Sequence, residues 1–324
     1  MGDVIATPSN IKIPDTSKWE LLKSPQAIGF MKMLNKYSSG THTLFLLSNK
    51  RIPNVNFVGI VPNLSGQKKL KKSKCKKLLF ERIIRILNEA RDTRFPEIID
   101  LTTVLVSGLE IPMLVTELIT GTNLYKAMKT YYFSKNIQQK GSSVPLNLRR
   151  IREILLELVN LEEHLMKIGV AHVGLFPEHV IVQIDDIVKV TGYRFLIGIE
   201  DGFIEDKPIL QSKFYGGIVH RRYTEQSFQN YFLTKGAQRT QIEPIISYQI
   251  GMLLFDILTT GSEIDQDPSN ASKAVNNALE LDTANYIVSK KALSIVQEVL
   301  YELIVERQNA TIKKIKETLS SLPD

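Results

Sequence analysis

Apolar positions in the first third of the chain come in short runs. "FMKML" (30–34), "TLFLL" (43–47) and "NFVGIV" (56–61) are separated by the turn-like "KYSSGTH" and "NKRIPN", a pattern that predicts strands. Before them, residues 1 to about 28 read as irregular: Pro8, Pro14 and Pro25 punctuate a polar stretch around "WELL". "KKLLFERIIRILNEARD" then sets Leu79, Ile83, Ile86, Leu87 and Ala90 on one helical stripe. "TTVLVSGLEIPMLVTEL" predicts two more strands turning at Gly108. Farther on, "LNLRRIREILLELVNLEEHLMKIG" (146–169) is a long amphipathic helix stopped by Gly169, and "AHVGLFPEHVIVQIDDIVKVTGYRFL" (171–196) holds two short strands with a turn at Asp185 and Asp186. "ISYQIGMLLFDILTT" is apolar nearly all round and predicts a buried central helix, with further helices in "SKKALSIVQEVLYELIVE" and "TIKKIKETLSSL". The expected order is five strands with one inserted helix, then a helical part containing one small hairpin. The class is α+β.

Bulk properties narrow the setting. A chain of 324 residues with 43% hydrophobic content can bury a core in one large domain or two lobes. The single cysteine, Cys75, excludes an intramolecular disulfide framework and any multi-cysteine zinc site. The N-terminus lacks a basic region followed by an apolar stretch, which predicts no signal peptide, and Ala6 breaks the myristoylation pattern. No apolar run reaches the ~18 residues of a membrane helix. The best candidate, residues 245–258, carries Gln249 and Asp256. These features predict an intracellular protein, cytoplasmic or nuclear, with no membrane span.

The formal charge of +7 is unevenly placed. "KKLKKSKCKK" (68–77) carries Lys68, Lys69, Lys71, Lys72, Lys74, Lys76 and Lys77, equal in number to the whole excess. Such a run attracts an acidic protein, acidic lipid, nucleic acid or an import receptor. Its plainer meaning is a solvated loop leading into a helix, with all seven lysines in water. No aromatic residue interleaves the lysines to stack on bases.

The order of elements resembles the bilobal protein-kinase fold, a small β-rich N-lobe with one helix and a larger, mainly helical C-lobe. "NFVGIV" looks like the kinase third strand, "LLFERIIRIL" like its regulatory helix, and "MLVTELITGTNL" like the fifth strand and hinge. "GVAHVGLFPEHVIV" is similar to the catalytic loop, "VKVTGYRF" to the metal-binding triplet, and "SYQIGMLLFDILTTG" to the central C-lobe helix. The resemblance implies an N-terminal extension (1–29), an N-lobe with hinge (30–119) and a C-lobe (120–324).

Phosphoryl transfer needs cations to neutralise phosphate, ligands for those cations, and a group that orients the attacking hydroxyl. On this resemblance Val61 stands at the phosphate-binding lysine and Ile83 at its glutamate partner. Gly174 stands at the catalytic aspartate, His179 at the magnesium-binding asparagine and Gly192 at the metal-binding aspartate. The loop that should be glycine-rich reads "YSSGTH" (37–42). The quoted stretch keeps carboxylates only at Glu178, Asp185 and Asp186; the aspartates suit a tight turn. A lone histidine such as His179 is more often a hydrogen-bonded structural residue than a metal ligand.

Packing positions persist. Leu87, His172 and Tyr193 match the kinase hydrophobic spine, Thr116 the gatekeeper, and Glu117, Leu118 and Ile119 a vestigial hinge pocket. Glu225 matches the acidic residue closing the activation segment; its basic partner's place falls at Asn309, with Arg307 close by. Ile246 replaces the central-helix aspartate that buttresses the catalytic loop. His179 with "GYR" is similar to the STRAD family of adaptor pseudokinases. The resemblance implies a catalytically inactive pseudokinase acting as scaffold or allosteric partner of another protein, an active kinase among the candidates. ATP and magnesium binding should be weak or absent. Two alternatives stand beside it. One is an atypical Ser/Thr kinase with relocated groups, Lys32, Lys36 or Lys50 supplying the cation. The other is an acidic-surface or nucleic-acid binder using the lysine run.

Overall fold

The computed structural model describes residues 7, 9–36, 42–64, 69–128, 147–183, 187–205, 222–233, 239–259, 271–277 and 290–323. The chain divides after Thr120 into two compact units. Both mix helix with antiparallel sheet, and the class is α+β.

In the first unit, strands β1 (Ile11–Lys12), β2 (Trp19–Leu21), β3 (His42–Asn49), β4 (Ile52–Pro62), β5 (Ile98–Val106) and β6 (Leu109–Glu117) form one sheet in the order β1-β5-β6-β4-β3-β2. Each neighbouring pair is antiparallel. Helix α2 (Lys69–Ala90) is inserted between β4 and β5. Gly108, at φ 80°, takes the left-handed conformation that the β5–β6 turn needs.

Three expectations are corrected here. "FMKML" is not a strand but part of helix α1 (Pro25–Lys36). The chain starts that helix with a capping serine and a proline: the Ala27 N–H donates to Ser24 Oγ at 3.1 Å, and Pro25 occupies the first turn, where a missing N–H costs nothing. Among the described side chains of α1, Ala27 and Met31, four apart, are buried. The segment read as an irregular extension supplies the strands at both sheet edges. Trp19, with 1% of its surface exposed, donates through Nε1 to Asp100 Oδ2 at 2.8 Å and meets Phe57 edge-on with centroids 5.0 Å apart. The lysine run from Lys69 onward is helix, not loop, and Lys76 is buried at 5% exposure. Lys76 stands seven residues before Ile83 and fourteen before Ala90, both buried, so helical geometry turns it inward with them. Lys74 and Lys77 do face water.

The second unit is built on helices α3 (Leu148–Lys167), α4 (Gln226–Leu233), α5 (Ile242–Thr259), α6 (Lys290–Leu300) and α7 (Ile312–Ser320). Asn147 caps α3 by accepting from the Arg150 N–H, and Gly169 ends it at φ 70°. The expected hairpin is present as an antiparallel pair, joined by a third strand into one three-stranded sheet, and a second three-stranded sheet accompanies it. One runs β10 (Val188–Val190), β9 (Val180–Val182), β7 (Thr122–Asn123); the other runs β12 (Phe203–Ile204), β11 (Leu196–Glu200), β8 (Val170–His172). The turn holding Asp185 and Asp186 lies outside the described residues. α5 is long and apolar enough to cross a membrane by composition, but 94% of it is buried inside the fold, the position of a core helix.

Because Trp19 anchors an edge strand from within the core, Trp19→Ala should lower unfolding stability by about 3–5 kcal/mol. Denaturant titration followed by circular dichroism checks it; a change below about 1 kcal/mol would mean that the β2 edge contributes little.

Candidate functional site

The segment 172–195 lies in the second unit, held by backbone and buried polar groups. β8 ends at His172, β9 begins at Val180, and a one-turn 3-10 helix, Tyr193–Phe195, leads from β10 to β11. The His172 N–H donates to Glu162 Oε2 on α3 at 3.1 Å. The ring Nε2 lies 2.9 Å from the Thr191 carbonyl, which can only accept, so Nε2 carries the hydrogen. Nδ1 then accepts from the Gly174 N–H at 3.3 Å. Burial keeps this imidazole neutral and holds its pKa at about 4, well below the ordinary 6.5.

Four rings pack beside Gly174 and Gly192. Phe195 lies 5.0 Å from Phe176 edge-on and 5.1 Å from His179. His179 stacks on Phe176 at 5.4 Å, and Tyr223 approaches Phe176 at 5.8 Å. His179 Nδ1 lies 2.9 Å from the Gly174 carbonyl and so carries the hydrogen it donates there. The guanidinium of Arg194 sits 4.5 Å from the Phe195 centroid, over its face.

The two glycines are the condition for this packing. A Cβ at Gly174 would lie 2.3 Å from Phe195 Cγ, closer than non-bonded atoms come. A Cβ at Gly192 would lie 2.8 Å from His179 Nδ1, and the residue stands at φ 80° besides. Neither position can hold a carboxylate while these rings stay in place.

The other expected residues are distributed as follows. In the first unit Val61 and Ile83 are fully packed apolar residues, and Leu87 is buried on α2. Thr116 is buried and its hydroxyl donates to the Glu117 carbonyl at 3.1 Å; the Glu117 carboxylate accepts from the Glu97 N–H. Leu118 packs against the first unit's core and Ile119 is half-buried. Tyr193 is buried in the second unit, and Glu178 is half-buried. Residues 37–41 of "YSSGTH" lie outside the described residues, as do the side chains of Lys36, Lys68, Lys69, Lys71 and Lys72. Lys50 Nζ donates to the Asp15 carbonyl at 2.9 Å. Among the described residues, no group of three or more His, Cys, Asp or Glu side chains is placed to hold a metal ion.

Below the rings, residues 222–225 are tied to α5. Arg222 Nε lies 2.9 Å from both Asp256 oxygens, and Tyr223 Oη donates to Asp256 Oδ2. Glu225 accepts from the N–H groups of Ser227 at 2.6 Å and Phe228 at 3.2 Å, capping α4, and pairs with Arg307 Nε at 3.0 Å. Arg307, not Asn309, is thus the basic partner; it also donates to the Ile304 carbonyl at 2.6 Å and lies over the Tyr248 ring at 5.3 Å. Burial pushes Tyr248 up to about 12 against the opposing pull of Arg307, and its hydroxyl donates to the Arg222 carbonyl at 3.1 Å.

Gln249 escaped the sequence reading. Its Nε2 donates to the Val173 carbonyl at 2.8 Å, one turn of α5 beyond Ile246, so the loop is buttressed from a neighbouring position. The signal was an amide inside an otherwise apolar helix, which a buried environment tolerates only with a partner.

Comparison with known protein families and with curated proteins finds no match for this chain.

Two outcomes follow. Gly192→Asp combines a left-handed backbone with the clash against His179, and should cost roughly 2–4 kcal/mol of stability without creating a magnesium-dependent melting shift. A variant as stable as the parent would show that His179 yields easily. His172 binds its proton more weakly folded than unfolded, so stability is full above about 6.5 and falls with pH toward about 4. At about 1.4 kcal/mol per pH unit, that contribution is roughly 3 kcal/mol. Chemical denaturation across this range should show the slope, and His172→Gln should flatten it.

Proposed function

We propose that the chain is a catalytically inactive protein-kinase-like domain, a pseudokinase, that works as a scaffold or allosteric partner of another protein. The observation that carries this reading is the filling of positions 174 and 192 by the Phe195 and His179 rings. Support also comes from the first unit. Counted from β2, the helix α2 falls between the third and fourth strands, as the kinase-like order requires. The connection between the first and second of those strands departs from that order, for it holds the twelve-residue helix α1 where a glycine-rich loop would lie.

Magnesium with a nucleoside triphosphate does not fit the residues present. Magnesium takes oxygen ligands in a near-octahedral arrangement. Gly192 offers no side-chain donor, and His179 offers imidazole nitrogen, one atom of which already serves Gly174. Val61 and Ile83 offer neither a cation for phosphate nor a carboxylate to hold one. No phosphoryl-transfer step is therefore assigned to these residues.

What this architecture retains is a fixed shape. Arg222–Asp256 and the Gln249 contact tie residues 222 and 173 to α5, Glu162 ties His172 to α3, and Arg307 holds Glu225. A segment pinned by its own side chains presents one surface to a partner, which is what a scaffold requires.

Purified chain incubated with magnesium or manganese and γ-labelled ATP should transfer no phosphate to itself or to generic protein substrates above background. Reproducible transfer that Lys50→Met or Glu178→Gln abolishes, with contaminating kinases excluded, would establish the relocated-site alternative instead.

A further inference from the structure

α2 sorts its side chains into two faces. At roughly 100° per residue, Lys74, Lys77, Leu78, Glu81, Arg85, Asn88 and Glu89 fall within about 120° of arc. All of them are exposed. Lys76, Leu79, Phe80, Ile83, Ile86, Leu87 and Ala90 occupy the opposite arc and are buried. Leu78 stands out on the open face with 65% of its surface in water. Its helical neighbours four residues before and after are Lys74 and Arg82, and no carboxylate occurs from Lys68 to Phe80. Glu81 is 3.9 Å from Lys77, whereas Lys74 and Arg85 have no carboxylate partner among the described residues.

We infer that the exposed patch of α2 formed by Lys74, Lys77 and Leu78 is the docking site for an acidic protein segment that carries an apolar residue. Lys74 and Lys77 are exposed three residues apart and so repel one another across one turn of the helix, a cost that a carboxylate-bearing partner relieves. Leu78 supplies what charge alone lacks, an apolar anchor inside a cationic rim. Nucleic acid fits less well: the exposed face has no aromatic or planar apolar group on which bases could stack. A membrane surface fits less well, because the other apolar residues of α2 are turned into its own core. The site names a partner class for the binding role proposed above, but α2's outer face has no part in phosphotransfer. Its failure would leave the inactive-kinase reading intact.

The test uses the full chain and fluorescence anisotropy with a labelled synthetic peptide of glutamates and leucines. The controls are the same peptide with serine for leucine, duplex DNA, duplex RNA, and vesicles of phosphatidylcholine with phosphatidylserine. The Glu/Leu peptide should bind best, Leu78→Ser should weaken it about tenfold, and Lys74→Gln with Lys77→Gln should both weaken it and flatten its salt dependence. Each variant should melt with the parent, because the altered side chains are exposed. Absence of binding, equal binding of the serine peptide, indifference to Leu78→Ser, or tighter binding of nucleic acid or vesicles would each overturn the inference.

Discussion

Two side chains that cross from one segment to another define the centre of the second unit: Phe195 against the bare backbone of Gly174, and His179 against that of Gly192. Each contact requires a residue without a Cβ, since the added atom would approach a ring to 2.3 Å or 2.8 Å. Dense packing explains why the arrangement cannot be half kept. Interiors near crystal density give no room for a carboxylate and a ring in one place. The bare backbone at Gly174 and Gly192 and the rings of Phe195 and His179 are therefore one arrangement, each depending on the other.

The filled centre is fastened from beneath. Arg307 and Glu225 form a buried pair in which the carboxylate also caps α4, so removing either partner would strand a charge where water cannot reach it. Arg222 and Tyr223, bound to Asp256 on α5, form a second fastening, and Gln249 on the same helix a third. All three join polar atoms on α5 or beside it to backbone or carboxylate a long way off in sequence. The most apolar helix of the chain is thus also the one that locates the loop, because its few polar groups have nowhere else to bond.

Much of this could be read from residue order. Periodicity placed α2, α3 and α5, and the strands β3 to β6 followed from short apolar runs between turns. The failures have identifiable causes. Ser24-Pro25 starts a helix, but the neighbouring prolines give the whole segment an irregular pattern that hides it. Lys76 shares a heptad with Ile83 and Ala90, but its charge masked the period. At the candidate site, the identities of Gly174, His179 and Gly192 were legible. What fills the space was not: Phe195 lies 21 residues from Gly174, and no local pattern says which way its ring turns. The same holds for Arg307 over Asn309, which are two residues apart and separated by the geometry of a single 3-10 turn.

The central claim is that packing, rather than the mere absence of charged residues, closes this centre to a metal–phosphate group. The most direct measurement is a thermal melt of the full chain with ATP in the presence of magnesium and again with the metal chelated. A ligand that binds the native state raises the melting temperature in proportion to the logarithm of its concentration over its dissociation constant. With the rings in place, magnesium should make no difference to the melt at any nucleotide concentration. A rise of several degrees that needs magnesium, and that vanishes when the metal is chelated, would contradict it.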